Sequence, residues 1–184
     1  LRSTYTLEGR RISHSVAVRN TGKGTLRFGF GYHPGFALPF DDAHTAEDYD
    51  VVFDTIESPL CLNTAPNGLV CASPDYYLAR NVDRIPLSAK LFAHDSHCMV
   101  NLKSKTMSVV ERDTGRRIVV DIADFPYTLI WSTPQEPMRF ICIEPWHSIP
   151  SEDNGPIEWE KKPCAASLAP NEMWQTTLNM TFER

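Results

Sequence analysis

Short alternating apolar runs, prolines and glycines spread between them, and no segment with sustained 3.6-residue periodicity predict an all-β fold. The expected architecture is a β-sandwich of antiparallel strands forming a single domain over residues 1–184. The chain opens inside what already reads as a strand. Residues 11–19 set Ile12, His14, Val16 and Val18 against Arg11, Ser13, Ala17 and Arg19, the two-residue period of a half-buried strand. Asn20-Thr21-Gly22-Lys23-Gly24 turns it. Residues 26–33 alternate again, with Leu26, Phe28, Phe30 and Tyr32 on one face and Arg27, Gly29, Gly31 and His33 on the other. Further strands are expected over 50–56, 97–102, 106–111, 117–123, 127–133, 139–144 and 173–182. Asp113-Thr114-Gly115-Arg116 and Pro134-Gln135-Glu136-Pro137 close hairpins, and Pro170-Asn171-Glu172 leads into the last strand. Only residues 87–92 have room for a helical turn, which excludes alternating α/β folds.

Composition narrows the function classes. Eighteen Lys and Arg against 23 Asp and Glu leave a net charge of −5, and the basic residues form no stripe, so nucleic acid is excluded as the main partner. With mean hydropathy −0.30 and no apolar run near the roughly 20 residues of a spanning helix, no membrane partner is expected. Five cysteines, Cys61, Cys71, Cys98, Cys142 and Cys164, are odd in number and lack any C-x-x-C pair, so neither a zinc ribbon nor a disulfide framework is indicated. A reducing, cytoplasmic setting follows; in an oxidising one, Cys61 and Cys71 around an Asn67-Gly68 turn are the pair to consider. The five carboxylates of residues 41–50 read as a solvated loop, since their spacing follows no calcium loop. The Asn179-Met180-Thr181 sequon lies in a strand. The opening Leu1-Arg2-Ser3-Thr4 has neither Met nor a signal-type apolar stretch, so the true beginning of the chain is expected to be missing.

Three segments can carry chemistry. In Gly29-Phe30-Gly31-Tyr32-His33-Pro34-Gly35-Phe36, two glycines on one strand face imply a close approach to the backbone, by a ligand or by a neighbouring strand. Pro34 removes a ladder donor and holds His33 extended, which puts the imidazole at a rim or cleft. In Arg139-Phe140-Ile141-Cys142-Ile143-Glu144-Pro145-Trp146-His147, a carboxylate closes an apolar strand on the face of Phe140 and Cys142. If that face is buried, Glu144 needs donors and its pKa is open to tuning; if not, it is a solvated strand end. Trp146 offers a flat platform for a sugar ring or a core aromatic. His94-Asp95-Ser96-His97 raises the thought of a metal. In an extended chain, however, the two imidazoles point to opposite faces, so Asp95 as acceptor for a ligand hydroxyl is preferred. Cys142 beside His33 or His147 would resemble a nucleophile and base, but no local signature surrounds the thiol and it reads as core.

The order of four of these pieces resembles the aldose 1-epimerase (galactose mutarotase-like) family, in its loosely described bacterial branch. They are Gly31-Tyr32-His33-Pro34-Gly35-Phe36; residues 87–95 ending in His94-Asp95; Asp124-Phe125-Pro126-Tyr127 with Ile130-Trp131-Ser132; and Cys142-Ile143-Glu144-Pro145-Trp146. The resemblance implies a β-supersandwich, of which this chain is the C-terminal part, and interconversion of the α and β anomers of a free hexose. It puts the general acid at His33, the general base at Glu144 and a sugar-hydroxyl contact at Asp95, with Trp146 beside them and no metal or organic cofactor. His147-Ser148-Ile149-Pro150 departs from the usual Gly-containing continuation, which leaves substrate preference open. The family's substrate-binding Arg and second active-site His fall upstream of this chain, so the isolated chain is expected to be poorly active and to pair with the missing segment or with a second copy.

Such chemistry suits these residue types. A base takes the proton of the anomeric hydroxyl, an acid protonates the ring oxygen, the opened chain rotates about C1–C2 and closure reverses both roles. Ordinary values of about 4.3 for Glu and about 6.5 for His leave the first ionised and the second close to protonation at neutral pH. The rivals are a hexose-6-phosphate 1-epimerase, which needs an Arg or Lys cluster that Arg139 alone does not supply, and a carbohydrate-binding or sugar-sensing module without turnover. A glycosidase needs two carboxylates, and only Glu144 stands out.

Overall fold

The protein is described from a computed structural model covering residues 1–64, 68–71, 75–156 and 158–184. Its strands are β1 (Arg2–Glu8), β2 (Arg11–Arg19), β3 (Leu26–Phe28), β4 (Gly35–Ala37), β5 (Tyr49–Glu57), β6 (Leu60–Leu62), β7 (Tyr76–Tyr77), β8 (Val82–Pro86), β9 (His97–Val100), β10 (Thr106–Glu111), β11 (Arg117–Asp121), β12 (Tyr127–Trp131), β13 (Phe140–Trp146), β14 (Ala166–Leu168) and β15 (Met173–Glu183). A 3-10 turn at Ala89–Phe92 occupies the place where the sequence left room for a helical turn, and a second forms at Ala46–Asp48, in the acidic segment, where none is expected.

Two antiparallel sheets face each other, in the strand orders β1-β2-β15-β11-β10-β5-β8 and β4-β13-β12-β9-β6-β7, with β3 and β14 paired separately. Alternation decides what each sheet buries. From the first come Val51, Met107, Val120 and Leu178; from the second, Phe36, Met99, Ile130, Ile141 and Ile143, all in one core. The other face of the six-stranded sheet carries Cys98, Leu129, Cys142 and Glu144 by the same parity, and these too are buried. Residues 63–64, 68–71 and 151–155 come together beside that sheet, where Val70 bridges Thr64 and Glu152, and the Tyr127 hydroxyl at the start of β12 meets Cys164 Sγ at 2.9 Å. At the far side of the molecule β1 is exposed along its whole length, Tyr5 and Leu7 included.

Residues 26–33 do not form one strand. β3 ends at Phe28 on β14, and the chain takes up a different partner, β13, from Phe30 onward. The short strands β6, β7, β8 and β14 escaped the pattern because three residues or a mixed run such as Val-Asp-Arg-Ile-Pro show no alternation to read. Cys61 and Cys71 are both free thiols; Asn67, in the turn proposed between them, lies outside the described residues.

The acidic segment is not a solvated loop throughout. Asp50 is buried and paired with Arg112 at 2.8 Å, while Asp41 meets both Arg116 and His44. Arg116 also holds the fully buried Glu111, which accepts from the Tyr49 and Thr114 hydroxyls. Hydrogen bonds to Asp41 and then Asp113 push the His44 imidazolium up to about 9. The folded state therefore binds this proton more tightly than the unfolded one. Its contribution is complete below pH about 6.5 and disappears as pH rises through about 9. Urea denaturation across that window should show stability falling for the wild type and a flatter profile for His44→Gln; parallel profiles would mean the clasp carries no linkage.

Candidate active site

Residues 30–38 run antiparallel to β13 in one unbroken register. Gly31 bridges Trp146, and Gly35, Phe36 and Ala37 pair with Cys142, Ile141 and Phe140. Counting inward from either end places His33 opposite Glu144. The main-chain bonds link Phe30 with His147, Tyr32 with Pro145 and Leu38 with Arg139, so His33 and Glu144 form a non-hydrogen-bonded pair. In an antiparallel ladder such pairs bring their side chains closest. Pro34 and Pro145 have no N–H, and the ladder loses a donor on each side of the pair. The Tyr32 carbonyl, which an N–H at position 145 would have met, accepts from the Trp146 indole Nε1–H at 2.9 Å instead.

Bulk on one strand meets bare backbone on the other. A Cβ on Gly31 would sit 2.5 Å from the Trp146 indole Cγ, and one on Gly29 would sit 2.8 Å from Ser148 Oγ. The close approach that these glycines permit is made by the protein's own side chains. At Gly35 a Cβ would lie 3.5 Å from Cys142 Sγ, an ordinary contact. Cys142, Glu144 and Trp146 thus form a row on β13, with His33 as the only side chain from the facing strand between Gly31 and Gly35.

His33 Nε2 lies 3.4 Å from Glu144 Oε1. The imidazole side chain is 55% exposed and the carboxylate 3%, so one partner reaches solvent and the other lies beneath it. The Trp131 ring meets the imidazole edge-on at 5.9 Å. Other buried glutamates are caged by donors: Glu57 accepts from the Lys103 and Ser104 N–H groups and the Ser104 hydroxyl, and Glu111 from Arg116, Tyr49 and Thr114. Among the described residues no donor cages Glu144, and its ion-pair partner there is His33.

Burial, and after it the negative charge of Asp95, push the Glu144 carboxyl up to about 8. The expectation of an ordinary value that leaves it ionised at neutral pH is therefore corrected: desolvation of the charged form and the nearby Asp95 charge favour the protonated carboxyl. Asp95 follows the 3-10 turn with φ of 88°, its Oδ1 accepting from the Ser96 N–H at 2.8 Å. Burial and Glu144 push the Cys142 thiol up to about 12. It is no activated nucleophile and it is buried, as the sequence suggested, yet its Sγ lies within 4.8 Å of a His33 ring nitrogen and a Glu144 oxygen. The i, i+2 spacing of Cys142 and Glu144 was the signal for that.

The remaining histidines lie elsewhere. His97 is buried with Nδ1 at 2.6 Å from the Tyr76 hydroxyl and Nε2 at 2.6 Å from the Leu91 carbonyl, which leaves it no free ligand atom. His147 points to the other face of β13, bonded to the Thr176 hydroxyl and packed on Phe125 and Trp174. Arg139 is exposed and lines a surface hollow with Asp41, Asp42 and His44, away from Glu144.

Comparison with known proteins follows the same lines. A galactose mutarotase related enzyme from Lactobacillus acidophilus superposes with a TM-score of 0.86 at 25% identity, covering 99% of this chain and 60% of its own. In fold the chain is galactose mutarotase-like. A galactose mutarotase-like protein from Lactobacillus casei gives a TM-score of 0.83 at 22% identity, with 98% of this chain and 62% of the other covered. The LacX proteins of Lactococcus lactis subsp. lactis are 30% identical over 185 residues, 99% of this chain and 61% of theirs. The chain spans about three-fifths of the length of these relatives. No family model matches it.

Two measurements test the geometry. Carboxyl carbon NMR should titrate Glu144 near pH 8, and Asp95→Asn should move that midpoint down, because removing a neighbouring negative charge favours the carboxylate; an unmoved midpoint would separate the two groups. Gly31→Ala should cost about 1–3 kcal/mol by overpacking against Trp146, while Gly35→Ala should stay within about 0.5 kcal/mol. Equal urea midpoints for the two variants would contradict the packing.

Proposed function

We propose that the protein interconverts the anomers of a free hexose, with Glu144 as general base and His33 as general acid. The carrying observation is the buried Glu144 carboxyl 3.4 Å from a half-exposed imidazole, with no caging donor among the described residues, whereas Glu57 and Glu111 are tied up by donors. A group without fixed donors is free to exchange its proton with a substrate hydroxyl.

In the reactive state Glu144 is ionised and His33 carries the proton. Glu144 takes the proton of the anomeric hydroxyl as His33 protonates the ring oxygen; the C1–O5 bond breaks and the aldehyde forms. Rotation about C1–C2 and reversal of both transfers close the ring on the other face. A single proton is exchanged at each centre and returned, so the cycle leaves both residues as they began. Asp95 supplies an acceptor for a sugar hydroxyl, and Trp146, fixed by its indole N–H, borders the same row. With Asp95 and Glu144 both carboxylates, the cleft favours a neutral, hydroxylated ligand over a phosphorylated one. The upstream contribution to the site, the activity of the whole protein and its cytoplasmic location belong to the same proposal.

Polarimetry on the full-length protein with freshly dissolved α-hexoses tests it. Glu144→Gln and His33→Asn should each lower kcat by about 10² or more, with Cys142→Ser far milder. The kcat/KM profile of the wild type should be bell-shaped, because the reactive state needs Glu144 ionised and His33 protonated at once; a profile without a basic limb would count against His33 as the acid. A fully active Glu144→Gln variant would move the base elsewhere and favour a sugar-binding module.

A further inference from the structure

Three side chains of different chemistry converge at the cleft. One ligand atom each from His33, Cys142 and Glu144 lies within 4.8 Å of the other two. An imidazole nitrogen, a sulfur and a carboxylate oxygen form a donor set suited to a thiophilic divalent cation such as Zn²⁺, and three protein ligands with one open position is a familiar zinc arrangement. We propose that these residues form a zinc-binding site, and that an ion held there blocks the catalytic pair. The second clause rests on the proposed function; the first does not.

The fold supplies the geometry for reasons of its own. Cys142 and Glu144 project from the same face of one rigid strand, and His33 enters from the facing strand opposite Glu144. Gly35, opposite Cys142, contributes no side chain, so nothing from that strand covers the sulfur. Trp131 stands edge-on to the imidazole and limits its swing. The exposed side of His33 leaves an approach for a hydrated ion and a coordination position for water. On binding, the Cys142 thiol gives its proton to solvent and the sulfur coordinates as thiolate.

The other cluster of comparable tightness, Asp41, His44 and Glu111, does not share this property. Arg116 already sits among those carboxylates, with its Nε 2.7 Å from Glu111. A cation would have to displace another cation there.

Calorimetric titration of the chain with Zn²⁺, and absorption after titration with Co²⁺, test the site without any catalytic assay. The expected result is one ion per chain, with a thiolate-to-cobalt charge-transfer band that Cys142→Ser abolishes. Cys142→Ser and His33→Asn should each weaken zinc binding by about tenfold or more, as loss of a ligating group requires, while Cys164→Ser, at an exposed thiol, should leave it unchanged. His33 is half-exposed, so its variant keeps the test valid even if the Cys142 variant folds poorly. Binding that survives both substitutions, or that is lost with Cys164→Ser, overturns the site. In full-length protein, zinc should suppress mutarotation competitively with sugar, and Cys142→Ser should need tenfold more zinc for the same suppression. Zinc binding as described without any mutarotation would sink the catalytic proposal alone; mutarotation without zinc binding would sink the metal site alone.

Discussion

A carboxylic acid near the end of an apolar strand, covered by a layer of loops, has two stable outcomes: it is caged by donors or it holds its proton. Glu144 follows the second. Glu57 and Glu111 follow the first, each surrounded by hydroxyl, amide or guanidinium groups that keep its oxygens occupied. The difference is set by the backbone. Two prolines interrupt the ladder beside Glu144, the indole of Trp146 takes up the carbonyl left over, and the facing strand offers one imidazole between two glycines. From that arrangement follow the raised pKa of Glu144, its pairing with His33 and the thiol brought within reach of both.

Parity carried most of what was legible in the sequence. The alternation of residues 11–19 and 173–182 is that of β2 and β15, which pair along their length. The shared face of Phe140, Cys142 and Glu144 is the face on which the site lies. His33, at the end of a glycine-bearing face, is half-exposed and stands opposite Glu144. What alternation could not give was the partner of each strand. That 26–33 divides between β14 and β13 is decided by residues more than a hundred positions away, and no local pattern records it.

The same gap explains the misplaced expectations. The glycines announced a close approach, but only the register shows that Trp146 and Ser148 make it. Cys142 is buried, as its sequence context suggested; only the arrival of His33 from the facing strand gives its two-residue spacing from Glu144 chemical meaning. The Glu144 pKa was equally hidden, since desolvation depends on the loops above the strand and on Asp95, residues that share no sequence neighbourhood with it.

The account stands or falls on where a sugar sits. A structure of the full-length protein with a bound hexose should show the ring oxygen within hydrogen-bond distance of His33 Nε2 and the anomeric hydroxyl within the same reach of Glu144 Oε1, with a second hydroxyl on Asp95. A sugar lodged instead in the cavity of about 460 Å³ between Tyr5, His14 and Tyr32, on the core side of His33, or bound in the cleft with its anomeric carbon turned away from Glu144, would contradict it.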